Sequence, residues 1–237
     1  YHQKALSLAE KAEKKEPRSD IYNYLGNIHL KLRHFTRAST YYKQSLELRK
    51  ELSDMSGMGD SYNNLALLYR NQERYDTALT YLNKSLEIRK KIGNKHQIAL
   101  TYNNLGSTYW KMHAYDKALK NYLESLDLRT ELGDKKGIAS SYNNIGTLYQ
   151  NIHNYKQALE YYQKALTIKK ELGNTKEIAY SLHIMGNAYL HLDEYDQALE
   201  FYQQALIRRK SIGDTYYIAQ SLHNMGLTYE KMGNHHK

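Results

Sequence analysis

The sequence predicts an all-α chain, an α-α superhelix of antiparallel helix pairs, and three observations predict it. Shifted against itself by 40 residues, the chain brings Gly26, Ala66, Gly106, Gly146, Gly186 and Gly226 into one column without insertion or deletion. Inside each period, apolar residues recur at three- and four-residue steps in two runs, the signature of paired amphipathic helices. Between periods stands a Gly followed by Asn or Asp, at Gly93-Asn94, Gly133-Asp134, Gly173-Asn174 and Gly213-Asp214. Gly can take the left-handed conformation that ends a helix, and Asn or Asp can cap the next. A unit of this length cannot bury its apolar face alone and must stack on its neighbours.

The elements follow in order from this punctuation. Residues 1–17, with Ala5, Ala9, Ala12 and the lone Pro17, read as the second helix of a partial repeat of shorter type. Full repeats are expected at 18–54, 55–94, 95–134, 135–174 and 175–214, and the first helix of a truncated repeat at 215–237, so that the chain reads as a piece of a longer array. In the fourth repeat Ile138, Ala139, Tyr142, Ile145, Gly146 and Tyr149 mark helix A. A polar turn at His153-Asn154 follows, and Tyr155, Ala158, Leu159, Tyr162, Leu166 and Ile168 mark helix B. Small residues in the Gly26 column and in the column Ala38, Ala78, Ala118, Ala158 and Ala198 let two helix backbones approach, with large neighbours filling the remaining space. The columns Tyr69, Tyr109, Tyr149, Tyr189, Tyr229 and Phe35, Tyr75, Tyr115, Tyr155, Tyr195 absorb much of a Tyr count of 25. That surplus is read as packing. Arg208 stands where Leu48, Ile88, Leu128 and Ile168 stand, which predicts a less buried face on the fifth helix B.

The segment SYNNIGTLYQNIHNYKQALEYYQKAL at residues 141–166 resembles the tetratricopeptide repeat consensus, and the resemblance extends over the whole chain. The long period and the Gly-Asn/Asp joint are most similar to the branch of Pins-type adaptors, with more distant similarity to kinesin light chains. Bacterial sensor kinases and regulators carry similar input arrays. The resemblance implies that A helices line a concave surface, where a protein or peptide is held.

Three columns would face that ligand. Three residues before the packing Gly stand Asn23, Asn63, Asn103, Asn143, His183 and His223. Asn offers an acceptor and two donors, enough to bond both N–H and C=O of an extended peptide, and the long-repeat adaptors hold peptide with a similar ladder. The column also reads as solvated helix surface copied by duplication. Directly after the Gly come Asn27, Leu67, Ser107, Thr147, Asn187 and Leu227, then Leu30, Arg70, Trp110, Gln150, Leu190 and Glu230, variable as a selective surface would be. Arg70 is a candidate for an acidic ligand group, and Trp110 either anchors a ligand side chain or packs on the next A helix.

The sequence offers little for other chemistry. There is no Cys, so neither a disulfide framework nor a thiolate metal site can form, and the compartment is left open. His183, His191 and His223 could approach one another, but no metal-ligand spacing, phosphate loop or nucleophile elbow accompanies them. No catalytic residue, cofactor, metal or small-molecule substrate is expected, and a mean hydropathy of -0.81 argues against membrane insertion. A formal charge of +9 raises nucleic acid as a partner. The clusters Arg49-Lys50, Arg89-Lys90-Lys91, Lys169-Lys170 and Arg208-Arg209-Lys210 instead close B helices, where cations complement the helix dipole. The basic excess better suits an acidic peptide or protein. Two functions are therefore carried forward, an interaction scaffold and a sensory or regulatory input domain of a larger signalling protein. An open end could also stack on a second copy end to end.

Overall fold

The computed structural model describes residues 15–235. All regular structure among them is helical: α1 Lys15–Lys31, α2 Phe35–Glu51, α3 Met55–Asn71, α4 Tyr75–Ile92, α5 Lys95–Lys111, α6 Tyr115–Glu131, α7 Lys135–Asn151, α8 Tyr155–Glu171, α9 Thr175–His191, α10 Tyr195–Ser211 and α11 Thr215–His235. Odd-numbered helices are the A helices of the pairs and even-numbered ones the B helices. The helices form two compact units, one up to Leu128 and one from Arg129. Pro17, expected to close a preceding helix, lies inside α1. Ala5, Ala9 and Ala12 lie outside the described residues.

The turns are built as the punctuation requires. Between B and the next A helix, Gly93, Gly133, Gly173 and Gly213 take φ of 78°, 66°, 68° and 68°, and Ser53 takes their place in the first repeat at 53°. After the first four of these joints along the chain the next residue caps the following helix. Asp54 accepts from Gly57 N at 2.9 Å, Asn94 from Gln97 N at 3.1 Å, Asp134 from Gly137 N at 2.9 Å and Asn174 from Glu177 N at 3.2 Å. Inside a pair, the A-to-B turn is left-handed without Gly, at Arg33, Glu73, His113, His153 and Asp193. His113 and His153 each contact the hydroxyl of the Tyr two residues on, at 2.9 and 2.8 Å, so these exposed His side chains brace the turns.

Each core centres on the pairing of a small A-helix residue with a large B-helix one. A Cβ on Gly106 or Gly146 would lie 2.6 Å from the ring of Tyr122 or Tyr162, and Gly26 and Gly186 meet Tyr42 and Tyr202 in the same way. In the second repeat Ala66 stands for Gly and Leu82 for Tyr, and both are buried. The extra methyl and the smaller partner thus occur together. In the first unit these residues join Leu30, Leu46, Leu65, Leu68 and Leu105, and in the second Leu166, Ile178, Leu182, Met185 and Ala205. Tyr69 on Tyr81, Tyr149 on Tyr161 and Tyr189 on Phe201 stack at 5.4, 5.5 and 5.1 Å between A and B helices.

Basic residues at the ends of the B helices, besides complementing the helix dipole, hold repeat to repeat. One member of each cluster, Arg49, Arg89, Lys169 or Arg209, is buried, as is Arg129. Arg49 Nη1 donates to Gly57 O at 2.8 Å and Ser61 Oγ at 2.9 Å, and Nη2 to Asp20 Oδ1 at 2.9 Å. Arg89 repeats this with Gln97 O, Thr101 Oγ1 and Asp60 Oδ1 at 3.2, 2.6 and 2.7 Å. In the second unit Arg129 Nη1 reaches Gly137 O at 2.8 Å and Ser141 Oγ at 2.9 Å, Lys169 Nζ reaches Ser181 Oγ at 2.9 Å, and Arg209 Nη1 reaches Tyr217 O at 2.7 Å and Ser221 Oγ at 2.6 Å. Arg208 is half-buried, like Leu48, Leu128 and Ile168 and unlike the buried Ile88. The less buried face expected there is absent, because its aliphatic stem occupies the position while its Nη1 donates to Gln204 O at 3.4 Å.

Candidate peptide-binding surface

In the first unit the Asn ladder is a double column. Asn64 Nδ2 donates to Asn23 Oδ1 at 2.7 Å, and Asn104 Nδ2 to Asn63 Oδ1 at 2.8 Å, each bond joining one A helix to the next. The second Asn of each NN pair was missed in reading the sequence, although Asn64, Asn104 and Asn144 recur with the period. The acceptor of Asn23 and of Asn63 is therefore committed to the array. Their Nδ2 groups donate to nothing among the described residues, which leaves these two half-buried side chains with unused donors.

The column after the Gly also faces inward in part. Tyr42 Oη donates to Asn27 Oδ1 at 2.8 Å and Tyr202 Oη to Asn187 Oδ1 at 2.7 Å. Tyr122 Oη reaches Ser107 Oγ and Tyr162 Oη reaches Thr147 Oγ1, both at 3.3 Å, and Tyr162 donates to Gln150 Oε1 at 2.8 Å. Leu67 and Leu227 are the apolar members of the column, and Leu67 stands in the repeat where Leu82 replaces the Tyr. The polar members of the column thus each meet the hydroxyl of a B-helix Tyr. Burial pushes Tyr162 up to about 12, so that hydroxyl stays protonated.

Arg70 is half-buried and burial holds its guanidinium below the usual range, with Tyr122 nearby acting in the opposite sense. Trp110 is half-buried under Lys111, whose Nζ lies 4.9 Å from the ring centre. Its Nε1 is buried without a hydrogen-bond partner.

In the second unit the ladder changes character. Asn143 Oδ1 is buried without a partner, since Ile184 stands where Asn64, Asn104 and Asn224 stand. His183 is buried, packs on Tyr202 at 5.4 Å, and lies 3.4 Å from Asn224 Nδ2 and 3.3 Å from Arg209 Nη1. Burial and, secondarily, Arg209 push its pKa down to about 4, so it is neutral at neutral pH. His191 instead stacks on Tyr155 at 4.8 Å, and His223 is exposed. The three His do not converge, and no group of metal-ligating residues occurs among the described residues. No described helix is long and apolar enough to cross a membrane.

Family models for the tetratricopeptide repeat match residues 19–53, 57–131, 97–171 and 177–237. Comparison with curated proteins finds no match. Among solved structures, BtubC from P. vanneervenii is 22% identical over 90% of this chain and 88% of its own, with a TM-score of 0.77. A STAND protein with a tetratricopeptide repeat sensor from Pyrococcus horikoshii is 21% identical, with a TM-score of 0.81 over 95% of this chain, which spans 34% of that protein. A Rap protein complexed with Competence and Sporulation Factor is 18% identical, with a TM-score of 0.75 over 95% of this chain and 66% of its own.

Proposed function

Because this chain belongs to the tetratricopeptide repeat family, we propose that it is an interaction module that takes an extended segment of a protein or peptide along its A helices, binding rather than transforming it. The observation that carries this reading is the donor ladder. Asn23 and Asn63 turn their acceptors to the next repeat and keep two N–H donors each for a ligand. Donors spaced by one repeat suit the carbonyl oxygens of an extended main chain, and acidic side chains would be attracted by Arg70 and the net positive charge.

The test uses a substitution that leaves the array intact. Asn23→Asp with Asn63→Asp keeps an oxygen for Asn64 and Asn104 but replaces the free donors with an acceptor. A partner captured by the wild-type chain from lysate of the source organism, and identified, should be lost by this variant while the melting temperature holds. Equal capture by both would sink the ladder.

A second reading, a regulatory input segment, is favoured by the STAND protein, of which this chain matches the length of about a third. In that case ladder occupancy would alter the output of whatever domain the array is joined to, measured in the full-length protein with and without the Asp substitutions.

A further inference from the structure

We propose that a cavity in the fifth repeat is a carboxylate-binding site, separate from the Asn ladder. The cavity, about 210 Å³, is lined by Lys176, Glu177, Tyr180, Arg209, Asp214 and Tyr217 among others. Arg209 is only 3% exposed, yet it forms part of the wall.

Comparison with the earlier repeats shows what this guanidinium takes. Arg49 serves two carboxylates at once: Asp20 at Nη2, 2.9 Å away, and Asp54 at 3.9 Å from Nε. Arg89 holds Asp60 at Nη2, 2.7 Å away. Asp214 occupies the column of Asp54, but the column of Asp20 and Asp60 carries Tyr180 in the fifth repeat. The hydrogen bonds of Arg209 all run from Nη1, to Tyr217 O, Ser221 Oγ and the edge of His183. The column that supplies an Asp to Arg49 and Arg89 carries Leu100 and Ser140 in the third and fourth repeats, and in the fifth, where it carries Tyr180, the guanidinium lines a cavity.

The walls suit an anion on a flat or apolar body. Tyr217 packs against the Arg209 guanidinium at 5.1 Å, and Tyr180, 46% exposed, also lines the cavity. Lys176 adds a second cation, while Glu177 is held by Lys169 at 3.2 Å. A carboxylate seated on Nη2 restores the two-carboxylate arrangement of Arg49, and a planar guanidinium favours it over a point-charge partner. The same chemistry is offered by a free small carboxylic acid and by an acidic side chain of a polypeptide.

Phenylacetate and an end-capped Glu peptide, each titrated into the chain and followed by amide NMR shifts around Tyr180 and Tyr217, separate these sources. Binding with a Kd on the order of 1 mM is expected for at least one probe. If only phenylacetate binds, the site takes free acids, and if the peptide also binds, it takes acidic side chains. Tyr180→Asp rebuilds the internal partner and should weaken binding at least about tenfold without lowering the melting temperature. Arg209→Lys provides an independent check. Lys169 shows that a lysine is accepted in this column, and the substitution removes Nη2 while keeping a donor for Ser221. It should also weaken binding about tenfold. Asn23→Asp with Asn63→Asp should leave binding unchanged. The proposal is overturned if neither probe shifts resonances at about 10 mM, if Tyr180→Asp or Arg209→Lys binds as well as wild type, or if inorganic phosphate binds more tightly than phenylacetate.

Discussion

At the scale of single residues, the same amino acid carries opposite consequences in different repeats. Gly146 faces the Tyr162 ring so closely that a methyl group has no room, whereas nothing lies within 4 Å of a Cβ on Gly226. Gly146→Ala should therefore cost about 1–3 kcal/mol of stability through overpacking, and Gly226→Ala should gain up to about 1 kcal/mol of helix propensity. The pair Ala66 and Leu82 suggests the remedy. Tyr162→Leu combined with Gly146→Ala should be less damaging than the sum of the two single changes, and a double-mutant cycle by chemical denaturation would read the coupling directly. His183 sets a pH dependence. Its folded pKa, about 4, lies below the ordinary 6.5, so the unfolded chain binds the proton more readily. Stability is then fully present above about pH 6.5 and is lost as pH falls toward 4, by roughly 3 kcal/mol in all. His183→Asn, which restores the ladder residue, should flatten that part of the stability profile relative to wild type. An unchanged slope between the two proteins would show that other groups carry it.

At the scale of helices, the decisive distinction lies within pairs of neighbouring cations. Arg89 is buried and bonded to two helices, while Lys90 beside it is exposed. Arg89→Ala strips the partners from Asp60 and Thr101 and leaves unfilled volume, so it should destabilise the chain by about 2–4 kcal/mol. Asp60 is partly solvated and can recover some of its loss, which keeps the value from the top of that range. Lys90→Ala should stay within about 0.5 kcal/mol, and thermal melts of the two variants compare them directly. This distinction was within reach of the sequence, because Arg49, Arg89, Arg129, Lys169 and Arg209 recur in step with Ser61, Thr101, Ser141, Ser181 and Ser221. Helix pairs, turns and caps were legible because their signals are local: Gly at a left-handed joint, Asn or Asp after it, apolar residues at helical spacing. The bonds from Asn64 to Asn23 and from Tyr42 to Asn27 join residues 41 and 15 positions apart. Such offsets carry meaning only once it is known which faces meet. Members of the columns read as ligand contacts therefore also bond within the array, as Asn23 and Asn27 do.

At the scale of the whole molecule, an array of this kind draws its stability from each repeat and the interfaces on either side of it. α11 has an unequal share. Leu182 on α9 is 1% exposed, while Leu222, one period later on α11, is 52% exposed, and Tyr229 is 59% exposed where Tyr69 is nearly covered. Serine and arginine still tie α11 to α10 through Ser221 and Arg209, so it is attached at one end and along one side. Local opening should then be cheapest there, since the free energy of opening follows the apolar surface that closing removes from water. Under native conditions, amides in the middle of α11 should exchange at least about a hundredfold faster than those in the middle of α7 or α9, a difference of roughly 2.7 kcal/mol or more in opening free energy. Uniform exchange across the three helices would mean that the exposed side of α11 is covered in solution. End-to-end pairing of two copies is then the first explanation to check, by repeating the exchange at a lower protein concentration. Protection that falls on dilution identifies self-association, and protection that does not would place the stability of α11 in its contacts with α10 alone.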